Sequence, residues 1–491
     1  MPFRNARAAL LLLAIAAPLA ASARITIVNA NDPGVGFNDP TPAAPVGGNT
    51  GTTLGAQRLQ AFQHAADLWG ALLDSDVEIR IQATFEALDC TATTGTLGSA
   101  GPTNSLADFT NAPLPGTWYA VALANRIAGR DLTPAAPGHI RAKFNSSVGT
   151  LNCLATSQWY YGLDNAHGDA IDLVSVLLHE FGHGLGFLTF VDATTGEEFS
   201  GHPDVFEKHI RDDSLGKTWD TLTTPERQAS TIRTGEVVFD SPRVVAAVPG
   251  TLSATPTLSV TAHASLAGEL AVGTADFGAA LTVGGVAGDV VAAEDPSDAA
   301  GPTATDACSP LTNAAAVAGH VALVDRGTCL FTAKAATVQA AGAIALIVVN
   351  NVADTSALAM GGDDTSISIP LVSVTQADGA SLRASLAAGV TVILRLDPDR
   401  RSGADSANRM LLYAPNPVED GSSTSHWDTS AFPHLLMQPN LAGDLPHDVD
   451  LTLPLLQDLG WSSEPVVPAS PRGAVHEVAR EETPRLIGPR P

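Results

Sequence analysis

"DAIDLVSVLLHEFGHGLGFLTF", residues 169–190, is the stretch that decides what the first half of the chain builds. Its apolar residues recur at helical spacing, which predicts a long helix with an apolar stripe. On a helix, positions i and i+4 lie on one face, so His179 and His183 project to the same side. Glu180 lies next to the first of these imidazoles.

The spacing His-Glu-x-x-His is that of a catalytic zinc site. Imidazole nitrogens bind zinc at about 2.0–2.1 Å, and the metal lowers the pKa of a bound water to about 7. Glu180 is placed to take a proton from that water and to pass it to a leaving amine. The alternative is a helix with two surface histidines, which the preceding apolar run LVSVLL and the glycines at 182, 184 and 186 disfavour.

A catalytic zinc site needs a third protein ligand, and the helix does not supply it. In the compact motif H-E-x-x-H-x-x-G-x-x-H the third histidine follows the glycine by three residues, where this chain has Thr189. The sequence favours His426, in GSSTSHWD, because Met437 follows it by eleven residues in HLLMQP and the chain has only four methionines. The other residues weighed as ligands are Asp192, Glu197, Glu198, His202, Asp204, Glu207 and His434, of which His434 lies too close to Met437.

The order of these motifs resembles the leishmanolysin-type metzincin peptidases. The residues that carry the resemblance are HEFGHGLGF, an insertion, SHWD, a Leu-Met turn and LLQDLGW, within about 170–190 and 410–461. The resemblance implies one zinc ion held by His179, His183 and His426, with Glu180 as general base. It also implies a methionine turn at Met437 beneath the metal. The insertion, of about 235 residues, is longer than the family pattern needs.

A change of composition marks the insertion. From about 251 to 400 the chain is rich in Ala, Val and Gly, and strand-like and helix-like segments alternate, which predicts a separate α/β module. "VALVDRGTCLFTAKAATVQAAGAIALIVVNN", followed by "IPLVSV", resembles the protease-associated (PA) domain. That resemblance implies no catalytic residues of its own and a role as a lid, a substrate filter or a protein contact.

The predicted fold class is α+β: a discontinuous, metzincin-like zinc peptidase domain interrupted by an inserted α/β PA domain. In the first half, residues 54–73 have helical spacing of Leu59, Phe62, Ala66, Trp69 and Leu72, and residues 77–85 alternate as a half-buried strand. The predicted ranges are a signal peptide at 1–23, peptidase segments at 24–250 and 401–463, the PA domain at 251–400, and a disordered tail at 464–491.

Export is predicted from the N-terminus. Arg4 and Arg7 precede an apolar run that is too short to span a membrane, and Ala21-Ser22-Ala23 offers cleavage after Ala23. In a secreted chain the four cysteines predict two disulfides, which sequence proximity assigns as Cys90–Cys153 and Cys308–Cys329.

The net charge of the chain disfavours some classes of binding partner. A net charge of −25 disfavours nucleic acid and anionic membrane surfaces as partners. The peptidase hypothesis predicts protein or peptide substrates. The sequence makes no prediction about structural calcium or oligomeric state. The leading hypothesis is a secreted zinc metalloendopeptidase; the alternatives are a non-catalytic binding or adhesion protein on a peptidase scaffold, and a zinc hydrolase of a non-peptide amide.

Overall fold

The computed structural model describes residues 22–262, 266–353 and 357–462, together with the backbone of Arg485–Ile487. The predicted signal peptide lies outside these residues except for Ser22 and Ala23. The predicted disordered tail also lies outside them, apart from the backbone of Arg485–Ile487. Every helix in the described ranges is too short or too polar to traverse a bilayer.

The helices and strands of the described residues are numbered in chain order. The helices are α1 Leu54–Leu72, α2 Val121–Ala128, α3 Leu173–Leu185, α4 Thr224–Ser230, α5 Pro242–Thr251, α6 Ala314–Val317, α7 Phe331–Ala340, α8 Gln376–Ser385 and α9 Thr452–Leu456. The first strands are β1 Ile25–Asn29, β2 Ile79–Glu86, β3 Gly98–Pro102, β4 Ser105–Ala107, β5 Tyr119–Ala120, β6 Ile140–Asn145, β7 Trp159–Tyr160, β8 Ile171–Asp172, β9 Ile210–Asp212, β10 Lys217–Thr218 and β11 Val237–Phe239. The remaining strands are β12 Ala254–Ala262, β13 Gly268–Leu270, β14 Val286–Ala292, β15 Val321–Asp325, β16 Ala345–Val349, β17 Leu371–Val374, β18 Thr391–Arg401, β19 Met410–Leu411 and β20 Arg485–Ile487.

The chain folds as two compact units. Unit 1 contains the residues up to Ala247, then Arg409–Thr429, and those from His434 onward; unit 2 contains Val248–Asn408 and Ser430–Pro433. The short segment Ser430–Pro433 joins unit 2 because the carbonyl of Phe432 accepts a hydrogen bond from the amide of Ser253 at 2.8 Å. The bounds therefore differ by a few residues from the predicted 251 and 400.

Unit 1 is built on a four-stranded sheet of order β1-β2-β6-β3. Strands β1, β2 and β6 are parallel, and β3 is an antiparallel edge strand. Burial alternates along β2, as the sequence predicts. Helix α1 packs its small and aromatic residues into the core, where Phe62 contacts the rings of Phe144 on β6 and Phe181 on α3. The core therefore lies between α1, α3 and the sheet.

The predicted stripe of α1 is only partly right. Phe62, Ala66 and Trp69 are fully buried, but Leu59 and Leu72 are 36% and 43% exposed. The buried face instead includes Ala61 and Ala65, and small side chains let the helix approach its neighbours closely. Helical spacing identified the helix correctly and misplaced the edges of its buried stripe.

Unit 2 is built on a seven-stranded sheet of order β13-β12-β18-β14-β15-β16-β17. Strands β14 to β17 are parallel, and β12, β13 and β18 extend the sheet in antiparallel fashion. Strand β16, ALIVV, is buried along its whole length, as expected for a parallel strand covered on both faces. Two apolar clusters lie on the sheet, one containing Leu346 and Val348 and the other containing Ile347.

Each unit contains one of the predicted disulfides. Cys90 pairs with Cys153 in unit 1, and Cys308 pairs with Cys329 in unit 2. Both pairings follow the sequence proximity from which they were predicted. The described residues contain no free cysteine.

Candidate metal centre

Helix α3 begins and ends at residues suited to those positions. The carboxylate of Asp172 caps its N-terminus by accepting hydrogen bonds from the amides of Val174 at 2.7 Å and Ser175 at 3.4 Å. Gly186 follows the last turn with a φ of +126°, a conformation that strains residues with a Cβ. The glycine that the sequence singled out therefore turns the chain away from the helix axis.

Two buried tryptophans hold the backbone of this helix. The indole N–H of Trp69 donates to the carbonyl of Leu178 at 3.0 Å, and that of Trp461 donates to the carbonyl of Leu185 at 2.9 Å. Both indoles are at most 1% exposed. The two histidines of α3 thus project from a helix that is fixed on both sides of the motif.

Three imidazoles from distant parts of the chain converge. The Nε2 atom of His183 lies 3.2 Å from the Nε2 atoms of both His179 and His426, and the third pair of Nε2 atoms is 3.3 Å apart. The three side chains are 5–9% exposed. The structure thus brings together the three residues that the sequence predicts as ligands, and this trio is the one group of three or more potential ligands found in the described part of the chain.

The other ring nitrogen of each histidine is held by a backbone carbonyl. The Nδ1 atoms of His179, His183 and His426 lie 2.6, 2.7 and 2.8 Å from the carbonyl oxygens of Leu436, Phe187 and Ser422. A carbonyl oxygen only accepts, so each Nδ1 carries the proton. Each Nε2 is then a bare lone pair in the neutral ring.

The three rings are kept neutral. Burial lowers the pKa of His179 to about 4 and, together with the neighbouring imidazole of His179, lowers that of His426 to about 3. Burial and both neighbouring rings also lower the pKa of His183. Three lone pairs at this separation repel one another unless a cation lies between them. The donor set therefore fits a metal ion bound through three Nε2 atoms.

The spacing of the nitrogens suits zinc. Two ligands at about 2.0–2.1 Å from a tetrahedral zinc ion are separated by roughly 3.3 Å. The observed Nε2–Nε2 distances of 3.2–3.3 Å agree with that ligand-to-ligand distance. Three protein ligands leave a fourth position of the tetrahedron open, as in catalytic rather than purely structural zinc sites.

Glu180 lies on the same helix, against the edge strand β3. Its side chain is 9% exposed, and burial raises the pKa of its carboxyl group to about 8, opposed by a hydrogen bond from the backbone of Ala100. A Cβ added to Gly98 would lie 3.3 Å from Cγ of Glu180 and 2.9 Å from the ring of Phe144. A glycine is needed at that point because β3 passes close to the ring of Phe144 and, less tightly, to the glutamate.

Met437 lies against the motif helix in a turn that also positions His426. A Cβ added to Gly182 would lie 2.9 Å from the sulfur of Met437, which places the thioether beside the helix between the two motif histidines. The backbone carbonyl of Met437 accepts from the amide of Trp427, the neighbour of His426, at 2.8 Å. The turn is thus hydrogen-bonded to the segment that carries the third histidine.

Five of the seven rival ligands have other partners, and the remaining two, Glu197 and His202, are exposed. His434 is 43% exposed, and its Nδ1 atom lies at hydrogen-bond distance, 3.0 Å, from the carboxylate of Asp444. Glu198 and Glu207 both pair with Arg227. Two further residues, Asp192 and Asp204, accept backbone hydrogen bonds.

Sequence reasoning missed the groups that orient the ligands. Three of them are backbone carbonyls, which leave no trace in side-chain patterns. A fourth is Asp450, whose carboxylate accepts from the amide of Leu436 at 2.5 Å and from the hydroxyl of Thr452 at 3.1 Å. Asp450 thereby fixes the backbone at Leu436, whose carbonyl oxygen holds Nδ1 of His179. Only the presence of an aspartate shortly after the methionine turn could have suggested it.

Comparison with known proteins identifies the inserted module. Residues 286–382 match the PA domain family, so the chain contains a PA domain, as the resemblance predicts. Signal peptide peptidase-like 2 of Arabidopsis thaliana is 35% identical over 150 residues, which are 30% of this chain and 27% of that protein. The probable lipoprotein aminopeptidase LpqL of Mycobacterium tuberculosis is 39% identical over 100 residues, 20% of this chain and 19% of that protein.

A solved structure is also similar in part. BSAP, a zinc aminopeptidase from Bacillus subtilis, is 22% identical with a TM-score of 0.22, over 30% of this chain and 31% of that one. The chain thus spans about a quarter or less of the length of the two curated relatives. The sequence matches relate part of the chain to peptidase-like proteins, and the family match within it is a PA domain.

Proposed function

We propose that this chain is a secreted, zinc-dependent endopeptidase of the leishmanolysin-like metzincin type, with an inserted PA domain. The observation that carries the proposal is the convergence of the Nε2 lone pairs of His179, His183 and His426 beside the carboxyl group of Glu180. The two disulfides favour an oxidising compartment, which agrees with export.

In the proposed mechanism, His179, His183 and His426 hold the zinc ion through Nε2. A zinc ion in such a site supplies Lewis acidity, which lowers the pKa of a water ligand to about 7. The carboxylate of Glu180 accepts a proton from the attacking water and later delivers it to the leaving amine. Burial favours the protonated form of Glu180, whereas a zinc ion held beside it would favour the carboxylate that accepts the proton.

The position of β3 supports a peptide as substrate. Within the described residues β3 pairs with β6 on one side and is the last strand of its sheet on the other. The amide of Thr103 donates to His139 and the amide of Asn145 donates to Leu97, so the backbone of Ala100 faces away from β6, toward Glu180. An extended peptide can add to such an edge through backbone hydrogen bonds and continue in both directions. That favours an endopeptidase over a hydrolase of a small amide.

The metzincin assignment is supported by the place in the sequence from which the third proposed ligand comes. The compact motif ends at Thr189, and His426 comes from a later segment that is hydrogen-bonded to the turn of Met437. The order of helix, glycine turn, distant histidine and methionine turn is that of the predicted family.

Metal content and proteolysis test the proposal. Wild type, Glu180→Ala and Glu197→Ala should each contain about one zinc per chain, and wild type and Glu197→Ala should cleave casein or gelatin. The Glu180→Ala variant should lose that activity, because its metal ligands remain while the proton carrier is gone. Glu197 is an exposed glutamate that serves as the matched control.

The competing functions predict other results. A binding or adhesion protein would show no cleavage in the wild type, even when loaded with zinc. A zinc hydrolase of non-peptide amides would hold zinc and leave proteins intact, but would cleave small amides in a Glu180-dependent way. Metal-free wild-type protein, or equal cleavage by wild type and Glu180→Ala, would refute the proposal.

A further inference from the structure

We infer that Asp204, Thr189 and Ser425 form a positioning relay that sets the place of His426 relative to helix α3. The inference rests on the proposed zinc site and adds residues that neither a motif nor a comparison assigns to it. It also gives a role to Thr189, which occupies the position of the third histidine in the compact motif.

Thr189 is held on one side by a buried carboxylate. Its hydroxyl donates to Oδ2 of Asp204 at 2.8 Å, and the next amide, that of Phe190, donates to the same oxygen at 2.5 Å. Asp204 is 2% exposed and Thr189 is 9% exposed. Charge-assisted hydrogen bonds are stronger than neutral ones, so the backbone at Thr189 is fixed where the chain leaves Gly186.

Asp204 is itself fixed by a buried network. Its Oδ1 accepts from the amide of Glu207 at 2.7 Å, and Glu207 pairs with Nε of Arg227 at 2.9 Å. Arg227 is buried too, and it donates to the carbonyl of Gly196 at 2.8 Å. A carboxylate anchored in this way is a rigid reference point for the residue that it holds.

On its other side Thr189 holds the segment of the third histidine. Its amide N–H donates to the hydroxyl oxygen of Ser425 at 3.3 Å, and Ser425 directly precedes His426. The relay therefore connects the end of the motif helix with Ser425. That residue precedes His426, which lies 243 positions after His183 in the sequence.

A link of this kind matters because His426 lies outside the helices and strands of unit 1. Between β19 and α9 the segment makes mainly turn and loop hydrogen bonds. The Nδ1 atom of His426 bonds the carbonyl of Ser422, and the carbonyl of His426 accepts from the amide of Tyr413 at 2.9 Å. Sites carried by loops are less exactly placed than sites on helices and strands, and small displacements of a ligand weaken a metal site. Loss of an outer partner of a metal ligand typically lowers metal affinity about 10–100-fold.

The test measures zinc affinity by competition with a chelator. Thr189→Val removes the hydroxyl at nearly constant size, and Ser425→Ala removes the acceptor of the Thr189 amide. Each should weaken zinc binding by up to about 10-fold, the low end of the range for outer partners, because neither residue bonds a histidine ring directly. Thr189→Ser, which keeps the hydroxyl, should bind like wild type. Thr257→Val is the matched control, because Thr257 is a buried threonine of unit 2 whose hydroxyl donates to a backbone carbonyl.

Spectroscopy and folding measurements separate positioning from general damage. In the cobalt-substituted proteins, Thr189→Val and Ser425→Ala should change the visible absorption of the metal, while Thr189→Ser and Thr257→Val should not. Unfolding of the metal-free proteins is followed by tryptophan fluorescence, since all six tryptophans belong to unit 1. If Thr189→Val does not fold, Ser425→Ala decides, because Ser425 is only partly buried.

The outcomes distinguish this inference from the proposed function. If wild type binds zinc, His426→Ala loses it, and both Thr189→Val and Ser425→Ala bind like Thr257→Val, the relay is refuted and the proposed function stands. If wild type binds zinc no more tightly than His426→Ala, the proposed metal site itself is wrong.

Discussion

Two glycines of the motif helix offer a matched test of how α3 packs in unit 1. Gly182 and Gly184 lie in the same helix, and alanine at either position gains up to about 1 kcal/mol of helix stability. A Cβ at Gly184 would lie 2.4, 2.9 and 3.0 Å from three side-chain carbons of Ile140. Ile140 is fully buried on β6 and, being β-branched, cannot turn aside easily. A Cβ at Gly182 meets the flexible end of Met437 at 2.9 Å instead.

The expected magnitudes follow from these contacts. Overpacking a rigid site costs about 1–3 kcal/mol, and a contact of 2.4 Å with a β-branched side chain belongs at the upper end. After a helix gain of up to about 1 kcal/mol, Gly184→Ala should therefore lose roughly 2 kcal/mol, whereas Gly182→Ala should stay within about 1 kcal/mol of wild type. Urea unfolding of the metal-free proteins, followed by tryptophan fluorescence, measures unit 1 because all six tryptophans lie there. With an m-value of about 3 kcal/mol/M, the two variants should differ by roughly 0.7 M in midpoint. A midpoint for Gly184→Ala equal to or above that of Gly182→Ala would refute the packing of α3 on β6.

Three further predictions concern ligation, pH and processing. His426→Ala should abolish zinc binding while His434→Ala, at an exposed position, leaves the zinc content unchanged; the reverse result would assign the ligand to His434. Burial raises the pKa of Asp450 from 3.8 to about 6, so this carboxyl group binds more protons in the folded state, and its own contribution to the stability of unit 1 should fall as pH rises from about 4 to 6. Asp450→Asn should flatten that dependence in urea unfolding at several pH values, and an unchanged slope would contradict the assignment. Ala23 is buried, and its amide donates to the carbonyls of Gly70 and Leu73, so we expect the exported protein to retain Ala23. The intact mass of the exported protein measures this. A chain that begins at Arg24 would instead support the cleavage predicted from the sequence.

The elements that the sequence predicted well are those with a local pattern. Helix α3, strand β2 and the alternation of strands and helices in unit 2 depend on periodicities of 3.6 and 2, which a single segment displays by itself. The PA domain was predictable because its motif is continuous over residues 321–351. The edges of the buried face of α1 were not predictable from the sequence, because the exposure of Leu59 and Leu72 depends on which residues pack beside them.

The sequence by itself predicted that His179 and His183 project together, with Glu180 beside them as the proposed general base, because residues four apart on a helix share a face in any environment. It also determined the kind of inserted module and the two disulfide pairings. Only the tertiary structure brought His426 to within 3.2 Å of His183, and only it showed which carbonyls hold each ring as the Nδ1–H tautomer. The reason is physical: those contacts join segments more than 200 residues apart, or involve backbone groups common to every residue. Their placement is set by the packing of the whole unit, and no local pattern encodes it.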